Sequence, residues 1–232
     1  MTGLNIIAVE GIGEITRGVD LAGIIWDAAD IQEHDVLVVT QKVISKVEGA
    51  MAAVDPDDPL SHKPLVERES VRILRRRGEL IISQTKHGFV CANAGIDLSN
   101  VDRGTAALLP DDPDRSARRI RDAILGRHGV EVAVIISDTF GRPWRRGVTD
   151  VAIGSAGLRP ILDLRGTHDA YGRELQVTEV AIVDEIAGAA ELVMGKATGI
   201  PVAIVRGIDP AWFGSGGVLD EIVRAPADDL FR

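Results

Sequence analysis

Residues 134–147 read VIISDTFGRPWRRG and contain the clearest structural signal in the chain. The apolar run that leads into them, residues 130–136, does not alternate with polar positions, so we expect a strand that is buried on both faces. Asp138 and Thr139 follow at the C-terminal end of this strand, where ligands bind in open α/β sheets. A carboxylate beside a hydroxyl is a pair of hard oxygen ligands that suits Mg²⁺ or Mn²⁺.

Three arginines and a tryptophan complete the stretch, namely Arg142, Trp144, Arg145 and Arg146. The arginine fork matches the geometry of phosphate and carboxylate, so this group is compatible with an anionic ligand. The alternative is a structural ion-pair cluster between Asp138 and the arginines. The sequence leaves both interpretations open.

Short apolar runs alternate with longer helical patterns around this stretch, which predicts a mixed α/β (α+β) fold. The predicted strands are residues 4–9, 36–40, 80–83, 89–92, 130–136 and 202–205. The predicted helices are residues 19–31, 65–77 and 178–194, and a segment that begins at the capping Asp112 with Pro113 and ends at Gly126 or Gly129. No internal linker is apparent. We therefore expect one domain, residues 1–225, whose two subdomains are intimately joined, and a polar tail or start of a linker at residues 226–232.

The composition excludes several classes of protein. The 232 residues carry 26 Lys and Arg against 35 Asp and Glu, a formal net charge of −9. A nucleic-acid binder normally presents a basic face, so nucleic acid is not an expected partner. No apolar run reaches the roughly 18 residues of a membrane helix and residues 1–14 do not resemble a signal peptide, so we expect a cytoplasmic protein that does not bind membranes. The single cysteine, Cys91, is interpreted as a small buried residue.

Two loops after predicted strands are candidates for ligand binding. Gly11 and Gly13 begin a tight loop, but Thr16 stands where a dinucleotide fingerprint has its third glycine, which disfavours a Rossmann site. The backbone of this loop could still approach a ligand. Lys42 and Lys46 follow the next strand and share a face in either a helix or a strand. They suit a phosphate, or they form a solvated edge.

Two further segments combine turn residues with polar side chains. Residues 93–100, NAGIDLSN, are rich in turn formers, and Asp97 and Asn100 among them could also offer hard oxygen ligands. Residues 194–201, MGKATGIP, connect the most apolar helix to a strand and contain Lys196. By composition this is an ordinary connection, and it lacks the pattern of a Walker-type phosphate loop.

These segments, in this order, resemble the γ-glutamyl ligase family of coenzyme F420 biosynthesis. The resemblance covers residues 11–207, and its most specific string is the ISDTFGRPWRRG of residues 136–147. The other matching strings are LVVTQKVISKVEG (37–49), GIDLSN (95–100), DVAIGSAGL (150–158), TEVAIVDEIAGAAELVMGK (178–196) and PVAIVRG (201–207).

The resemblance implies a GTP-dependent ligase that adds L-glutamate to the deazaflavin phospholactate precursor F420-0, with further glutamates joined through the γ-carboxyl. The precursor's terminal carboxylate would be phosphorylated by GTP, and the amine of glutamate would then attack the acyl phosphate, with release of GDP and phosphate. Mg²⁺ or Mn²⁺, as two ions per site, would neutralise the triphosphate, and the resemblance also allows for K⁺.

Position by position, the resemblance implies three groups of site residues. GTP would contact Ile12, Gly13, Glu14, Ile15, Gln41, Lys46, Asn100, Met194, Gly195, Lys196, Ala197, Thr198, Gly199, Ile200 and Pro201. Asp97 and Asp138 would hold one divalent ion, and Thr139 would help to hold a second. Asp138, Lys46 and Arg142 would act in catalysis.

Lys196 departs from the pattern expected of archaeal members, which would have an acidic or amide metal ligand there. A protonated lysine cannot bind a metal ion, so Lys196 could instead place a positive charge on the phosphates. The family further implies an unusual α/β fold and intertwined homodimers. Related actinobacterial chains continue into a flavin-binding domain, and the tail could begin the linker to it.

Overall fold

The computed structural model describes residues 3–230 and has a mixed sheet at its centre. The strands are β1 (Asn5–Ala8), β2 (Val36–Thr40), β3 (Met51–Ala53), β4 (Ser70–Arg77), β5 (Leu80–Thr85), β6 (Val90–Ala92), β7 (Thr105–Ala107), β8 (Ala133–Arg142), β9 (Arg145–Ala156), β10 (Leu162–Asp163), β11 (Glu179–Val180) and β12 (Val202–Arg206). The helices are α1 (Leu21–Ala28), α2 (Gln41–Glu48), α3 (Lys63–Glu69), α4 (Pro113–His128), α5 (Ile182–Met194) and α6 (Val218–Glu221). This confirms the predicted mixed α/β class.

The central sheet has the strand order β1-β12-β2-β8-β9. Its parallel pair is β2 with β8, in a register that runs from Val36 opposite Ala133 to Thr40 opposite Ser137. Residues 36–39 and 133–136 have no exposed surface. Because successive side chains of a strand point to opposite faces, both faces of this pair are covered, as the unalternating apolar run predicted.

Helices α4 and α5 pack on this sheet and close its core. Helix α4 contacts β8 and β9 and also α1, whereas α5 contacts β1, β12 and β9. The predicted cap is confirmed, since the Asp112 side chain accepts a hydrogen bond from the Arg115 backbone N–H and Pro113 is the first helical residue. Asp114 then ties α4 to its neighbours, because its buried carboxylate accepts hydrogen bonds from the Ser155, Val218 and Leu219 backbone.

Smaller sheets flank the central one. Strands β4, β5 and β6 form a three-stranded antiparallel sheet, and β3 with β7 and β10 with β11 form two-stranded ones. A second, small apolar cluster of Val66, Ile81 and Ala94 supports the three-stranded sheet, apart from the main core. No helix in residues 3–230 is long and apolar enough to span a membrane.

The prediction of one helix over residues 65–77 is wrong beyond Glu69. Residues 70–77 form β4, which pairs with β5 through the two-residue connection of Gly78 and Glu79. Gly78 has φ of 56°, a left-handed conformation that ends helices and that also builds tight hairpin turns. The glycine signal was therefore present, but it marks a hairpin rather than a helix end.

Other predicted boundaries differ from the observed ones, and the largest differences are at α5 and β8. Helix α5 begins at Ile182 rather than at residue 178, because residues 179–180 form β11 with β10. Strand β8 begins at Ala133 and continues beyond Ile136 to Arg142, where it turns into β9. Within the predicted tail, residues 226–228 form a 3-10 turn, and residues 231–232 lie outside the described residues.

Gly154 allows α4 to lie directly on β9, and this contact can be tested. A Cβ at Gly154 would lie 2.4 Å from the carbonyl carbon of Pro113. We expect Gly154→Ala to lower the free energy of unfolding, measured in urea, by about 1–3 kcal/mol, since backbone must move to relieve the clash. The control Gly126→Ala lies in α4 with nothing within 4 Å of its Cβ, and it should be stabilising by up to about 1 kcal/mol. Equal effects of the two changes would contradict this packing.

Candidate active site

A cavity of about 540 Å³ opens where the pairing of β2 with β8 ends. It lies beyond Thr40 and Ser137, the last pair of this register, so it occupies the carboxyl edge of the parallel strands, as expected for a ligand site of an α/β sheet. Many predicted site residues meet along its lining. They are Ile12, Gly13, Glu14, Ile15, Lys46, Asn100, Asp138, Thr139, Met194, Gly195, Lys196, Gly199, Ile200 and Pro201.

Asp138 is a carboxylate of the cavity that makes no ion pair within residues 3–230. Its Oδ1 accepts a hydrogen bond of 2.8 Å from the Thr139 backbone N–H. Burial raises its pKa to about 7, helped by the negative charges of Asp97 and Asp150, although the Thr139 N–H and Lys42 act in the opposite direction. A cation bound next to Asp138 would stabilise the ionised form of this carboxylate.

Asp97 lies on the same side of the site but is already paired. Its Oδ2 is 2.8 Å from the Lys42 ammonium nitrogen, and its Oδ1 accepts a 2.7 Å hydrogen bond from the Ser99 backbone N–H. Burial raises the pKa of Asp97, but the bonds from Lys42 and Ser99 outweigh burial and hold it below its ordinary value. The segment contains a 3-10 turn at Asn93–Gly95, as its composition predicted, whereas the role of Asp97 as a metal ligand stays a prediction.

A second group of polar side chains lies on the other face of β8. Thr139 is opposite Asp150 in the register of β8 with β9, and its hydroxyl donates a 2.8 Å hydrogen bond to Asp150 Oδ1. Because Asp138 and Thr139 are consecutive in a strand, their side chains point to opposite faces. The Lys196 ammonium completes this group, at 2.6 Å from Asp150 Oδ1 and 2.9 Å from Glu191 Oε1.

Helix α2 brings the two lysines of the strand end to the cavity. The spacing of Lys42 and Lys46 is confirmed as helical, and both line the cavity. Lys46 pairs with Glu14 of the first loop at 2.5 Å. Thr40 makes no side-chain cap at the N-terminus of α2. The first turn of this helix therefore adds unpaired N–H groups and the positive end of its dipole to the cavity.

Gln41 lies in the core rather than in the cavity. Its Nε2 donates hydrogen bonds of 2.6 Å to Ser45 Oγ and 2.8 Å to the Leu108 carbonyl, and the side chain is 1% exposed. It therefore anchors α2 to the chain beyond β7. Asp97, Arg142, Ala197 and Thr198 are likewise outside the immediate lining, and their predicted contacts with ligands stay predictions.

The β8–β9 turn carries the three arginines of the opening stretch. Arg142 donates a 3.1 Å hydrogen bond to the Arg146 carbonyl, and Trp144 in the turn is 85% exposed. Within the described chain, Arg142, Arg145 and Arg146 make no ion pair with a carboxylate. The alternative of an ion-pair cluster with Asp138 is thus not what the structure contains.

Sequence reasoning missed three carboxylates that line the cavity, Asp102, Asp150 and Glu191. Asp150 lies in β9 and is 5% exposed, and Glu191 lies in the last turns of α5. The signal for Asp150 is limited to the hairpin, since a second strand returns beside Thr139 but only the register of the two strands selects Asp150. For Glu191, the spacing to Lys196 across a helix end gives no such signal.

Cys91 is confirmed as a buried residue and is not a reactive thiol. Burial raises its pKa to about 12, with a contribution from the negative charge of Asp138. A separate trio of ligand-type side chains, Glu33, His34 and Glu131, has its ligand atoms within 4.8 Å of one another. It is the one such trio within residues 3–230 and does not line the cavity.

Carboxylates with displaced pKa values beside lysines in one cavity are typical of an enzyme active site. The family model described as F420-0:Gamma-glutamyl ligase matches residues 11–207. A Coenzyme F420:L-glutamate ligase of Methanothermobacter thermautotrophicus is 42% identical over 99% of this chain and 99% of its own length. Proteins of the same name from Methanopyrus kandleri and Archaeoglobus fulgidus are 42% and 40% identical, over 100% and 99% of this chain and 100% and 96% of their own lengths.

The chain is therefore a ligase that forms amide bonds. It belongs to the F420-0:gamma-glutamyl ligase family, which confirms the resemblance stated from its motifs.

The displaced pKa of Asp138 predicts a pH-dependent effect on stability. Because this pKa is about 7 in the folded protein and near 3.9 in an unfolded chain, the ionised carboxylate destabilises the metal-free fold at neutral and alkaline pH, and the cost vanishes below about pH 4. We expect Asp138→Asn to raise the Tm of the metal-free protein by roughly 5 °C at about pH 8, with the difference disappearing near about pH 4.

Thermal melts of the metal-free protein across this pH range measure the difference. Asp122→Asn, an exposed carboxylate on α4, is the matched control and should melt like the parent at every pH. An Asp138→Asn protein that is no more stable than the parent at about pH 8 would show that the carboxylate is not desolvated.

Proposed function

We propose that this ligase uses GTP to add L-glutamate to F420-0, and then further γ-linked glutamates, in coenzyme F420 biosynthesis. The observation that carries the proposal is that the segments assigned to the nucleotide line one cavity together with Asp138. The names of the relatives supply glutamate as the amine donor. A homodimer and a cytoplasmic location remain predictions from the resemblance and the composition.

The charge of the cavity supports a requirement for a divalent ion. Among residues 3–230, three lysines and five carboxylates line it, and no arginine does. The lysines are Lys42, Lys46 and Lys196, and the carboxylates are Glu14, Asp102, Asp138, Asp150 and Glu191. A nucleoside triphosphate carries several negative charges, so it would be repelled by this lining without added cations.

Asp138 and Asp97 fit the divalent ion that the family implies. Asp138 has a raised pKa and no ion-pair partner within residues 3–230, and the negative charge of Asp97 is close enough to contribute to that shift. Oxygen ligands of this kind suit Mg²⁺ or Mn²⁺. When bound, the ion would neutralise charge on the triphosphate and on the transferred phosphoryl group.

The remaining features of the cavity suit the phosphates of GTP. The first turn of α2 offers backbone N–H groups, and Lys42 and Lys46 offer ammonium groups on the same side. The loop at Gly13 and the segment from Gly195 to Pro201 line the rest of the cavity. Lys46 can exchange its bond to Glu14, which is largely exposed, for a bond to a phosphate oxygen at little cost.

The proposed reaction has two steps. In the first, an oxygen of the terminal carboxylate of F420-0 bonds to the γ-phosphorus of GTP, the bond from that phosphorus to the β–γ bridging oxygen breaks, and GDP leaves. In the second, the glutamate amine forms a C–N bond at the acyl carbon, the acyl C–O bond to phosphate breaks, and the amine loses a proton. Lys46 and Arg142 serve to position the charged groups, because phosphoryl transfer depends on positioning and charge stabilisation.

A mass-spectrometric assay of the full chain tests the proposal. With GTP, Mn²⁺, F420-0 and glutamate, we expect a product heavier by one glutamyl unit, with GDP and phosphate released in equal amounts to it. Phosphate release without such a product would instead identify a phosphatase or phosphotransferase. Binding of GTP without any turnover would identify a nucleotide-binding module.

The β8–β9 turn is the proposed binding surface for the acceptor. F420-0 carries a phosphodiester and a carboxylate, and within residues 3–230 Arg145 and Arg146 have no carboxylate partner. We expect the double change Arg145→Gln with Arg146→Gln to raise the KM for F420-0 roughly tenfold or more, since charge-assisted bonds are lost. The KM for GTP should stay within about twofold.

The matched control removes two exposed arginines elsewhere, Arg103 and Arg165, each paired with an aspartate. Arg103→Gln with Arg165→Gln should leave the KM for F420-0 unchanged. If both double variants behave alike, the turn does not bind the acceptor.

A further inference from the structure

The ammonium of Lys196 lies in a pocket of three oxygens on the wall of the cavity. Its nitrogen is 2.5 Å from Thr139 Oγ1, 2.6 Å from Asp150 Oδ1 and 2.9 Å from Glu191 Oε1. Two carboxylates and a hydroxyl form the kind of oxygen set that binds Mg²⁺ or Mn²⁺. In this chain the Lys196 ammonium lies between these three oxygens, where a metal ion would bind.

The oxygen set needs a cation because one of its members is buried. Asp150 is 5% exposed and accepts hydrogen bonds from the hydroxyls of Ser137 and Thr139, which carry no full charge. A buried carboxylate without a cationic partner is costly, and Glu191 beside it adds a like charge. The Lys196 ammonium, 2.6 Å from Asp150 and 2.9 Å from Glu191, is the cation that pairs with both carboxylates.

The three hydrogen bonds of the Lys196 ammonium use all of its donors, so none is left for a phosphate, and the ammonium fills the space between the three oxygens. A lysine ammonium has three donors, and the three oxygens accept from all of them. Thr139 in turn donates its proton to Asp150 while it accepts from Lys196. Distances of 2.5–2.9 Å suit hydrogen bonds, whereas an Mg²⁺ ion needs ligands at about 2.0–2.1 Å.

We propose that Lys196 is a built-in cation that takes the place of a second divalent ion in this active site. This inference rests on the proposed function and makes it more specific. The face of β8 with Asp138 binds one divalent ion from solution, and the face with Thr139 and Asp150 has its positive charge supplied by the chain. Lys196 acts as a positioning residue that holds the carboxylates of Asp150 and Glu191 in place. We therefore expect one divalent ion per chain instead of the two that the resemblance implies.

Counting bound Mn²⁺ tests this inference independently of turnover. The electron paramagnetic resonance signal of free Mn²⁺, followed during titration of the full-length protein, gives the number of ions per chain. We expect one ion in the parent and one more in Lys196→Glu, where a third carboxylate replaces the ammonium. Lys196→Gln should also gain an ion, more weakly, and this milder change covers the case in which Lys196→Glu does not fold.

Two controls separate the effect of the site from that of net charge. Lys86→Glu makes the same charge change at a surface pair with Asp111, outside the cavity, and should bind as many ions as the parent. Lys196→Arg keeps the charge and should do the same.

Equal counts in the parent and in both neutral and acidic Lys196 variants would overturn the inference, as would two ions in the parent. A parent that binds no ion contradicts the divalent ion of the proposed function instead. In that case, a gain of one ion in Lys196→Glu would still support the inference, and no gain would overturn it.

Discussion

The parallel pairing of β2 with β8 is the interaction on which the active site depends. This pair has its side chains buried on both faces, and the register ends with Thr40 opposite Ser137. A slip by one residue would exchange the two faces of a strand, so the buried pattern permits one register. As a result, the start of α2 and the carboxylate of Asp138 always emerge at the same edge of the sheet, where a ligand can touch both.

Each lysine of the cavity is paired with a carboxylate before any ligand arrives. Lys42 pairs with Asp97, Lys46 with Glu14, and Lys196 with Asp150 and Glu191. The long-range field of a protein with net charge −9 does not attract anionic substrates. Binding therefore depends on short-range exchange of partners, in which exposed pairs are released at lower cost than buried ones. The exposed Glu14 makes the pair with Lys46 exchangeable, whereas release of Lys196 would leave the buried Asp150 carboxylate without its cation, which is costly.

The sequence predicted the central strands well because burial on both faces produces long apolar runs that no other structure explains. It also predicted the start of α4, where Asp112 and Pro113 have a local physical role in the first helical turn. It failed at residues 70–77, because a glycine with positive φ serves a helix end and a hairpin equally. A local signal of this kind predicts the backbone conformation of one residue, but it does not predict whether a helix or a hairpin contains that residue.

Site residues could be predicted where a single segment of sequence indicated their position. They were missed where their position depends on how two segments pack together. Asp138 and the lysines of α2 follow strands directly, so their place at the sheet edge could be inferred. Gln41 is the first residue of α2, and the sequence does not show in which direction its side chain points. In the structure this side chain lies in the core, where it bonds to the Leu108 carbonyl. Asp150 depended on the register of a hairpin, which short-range patterns do not encode.

The long β8–β9 hairpin explains how one element can serve chemistry and recognition together. Its base holds Asp138, Thr139 and Asp150, while its turn carries Arg142, Trp144 and the exposed arginines. Arg142 lies three positions after Thr139 in the strand, a span of about 10 Å. A substrate held at the turn would thus be placed at a fixed distance from the phosphates. The rigidity of paired strands makes this spacing a property of the backbone, which suits a reaction whose rate depends on the alignment of two charged groups.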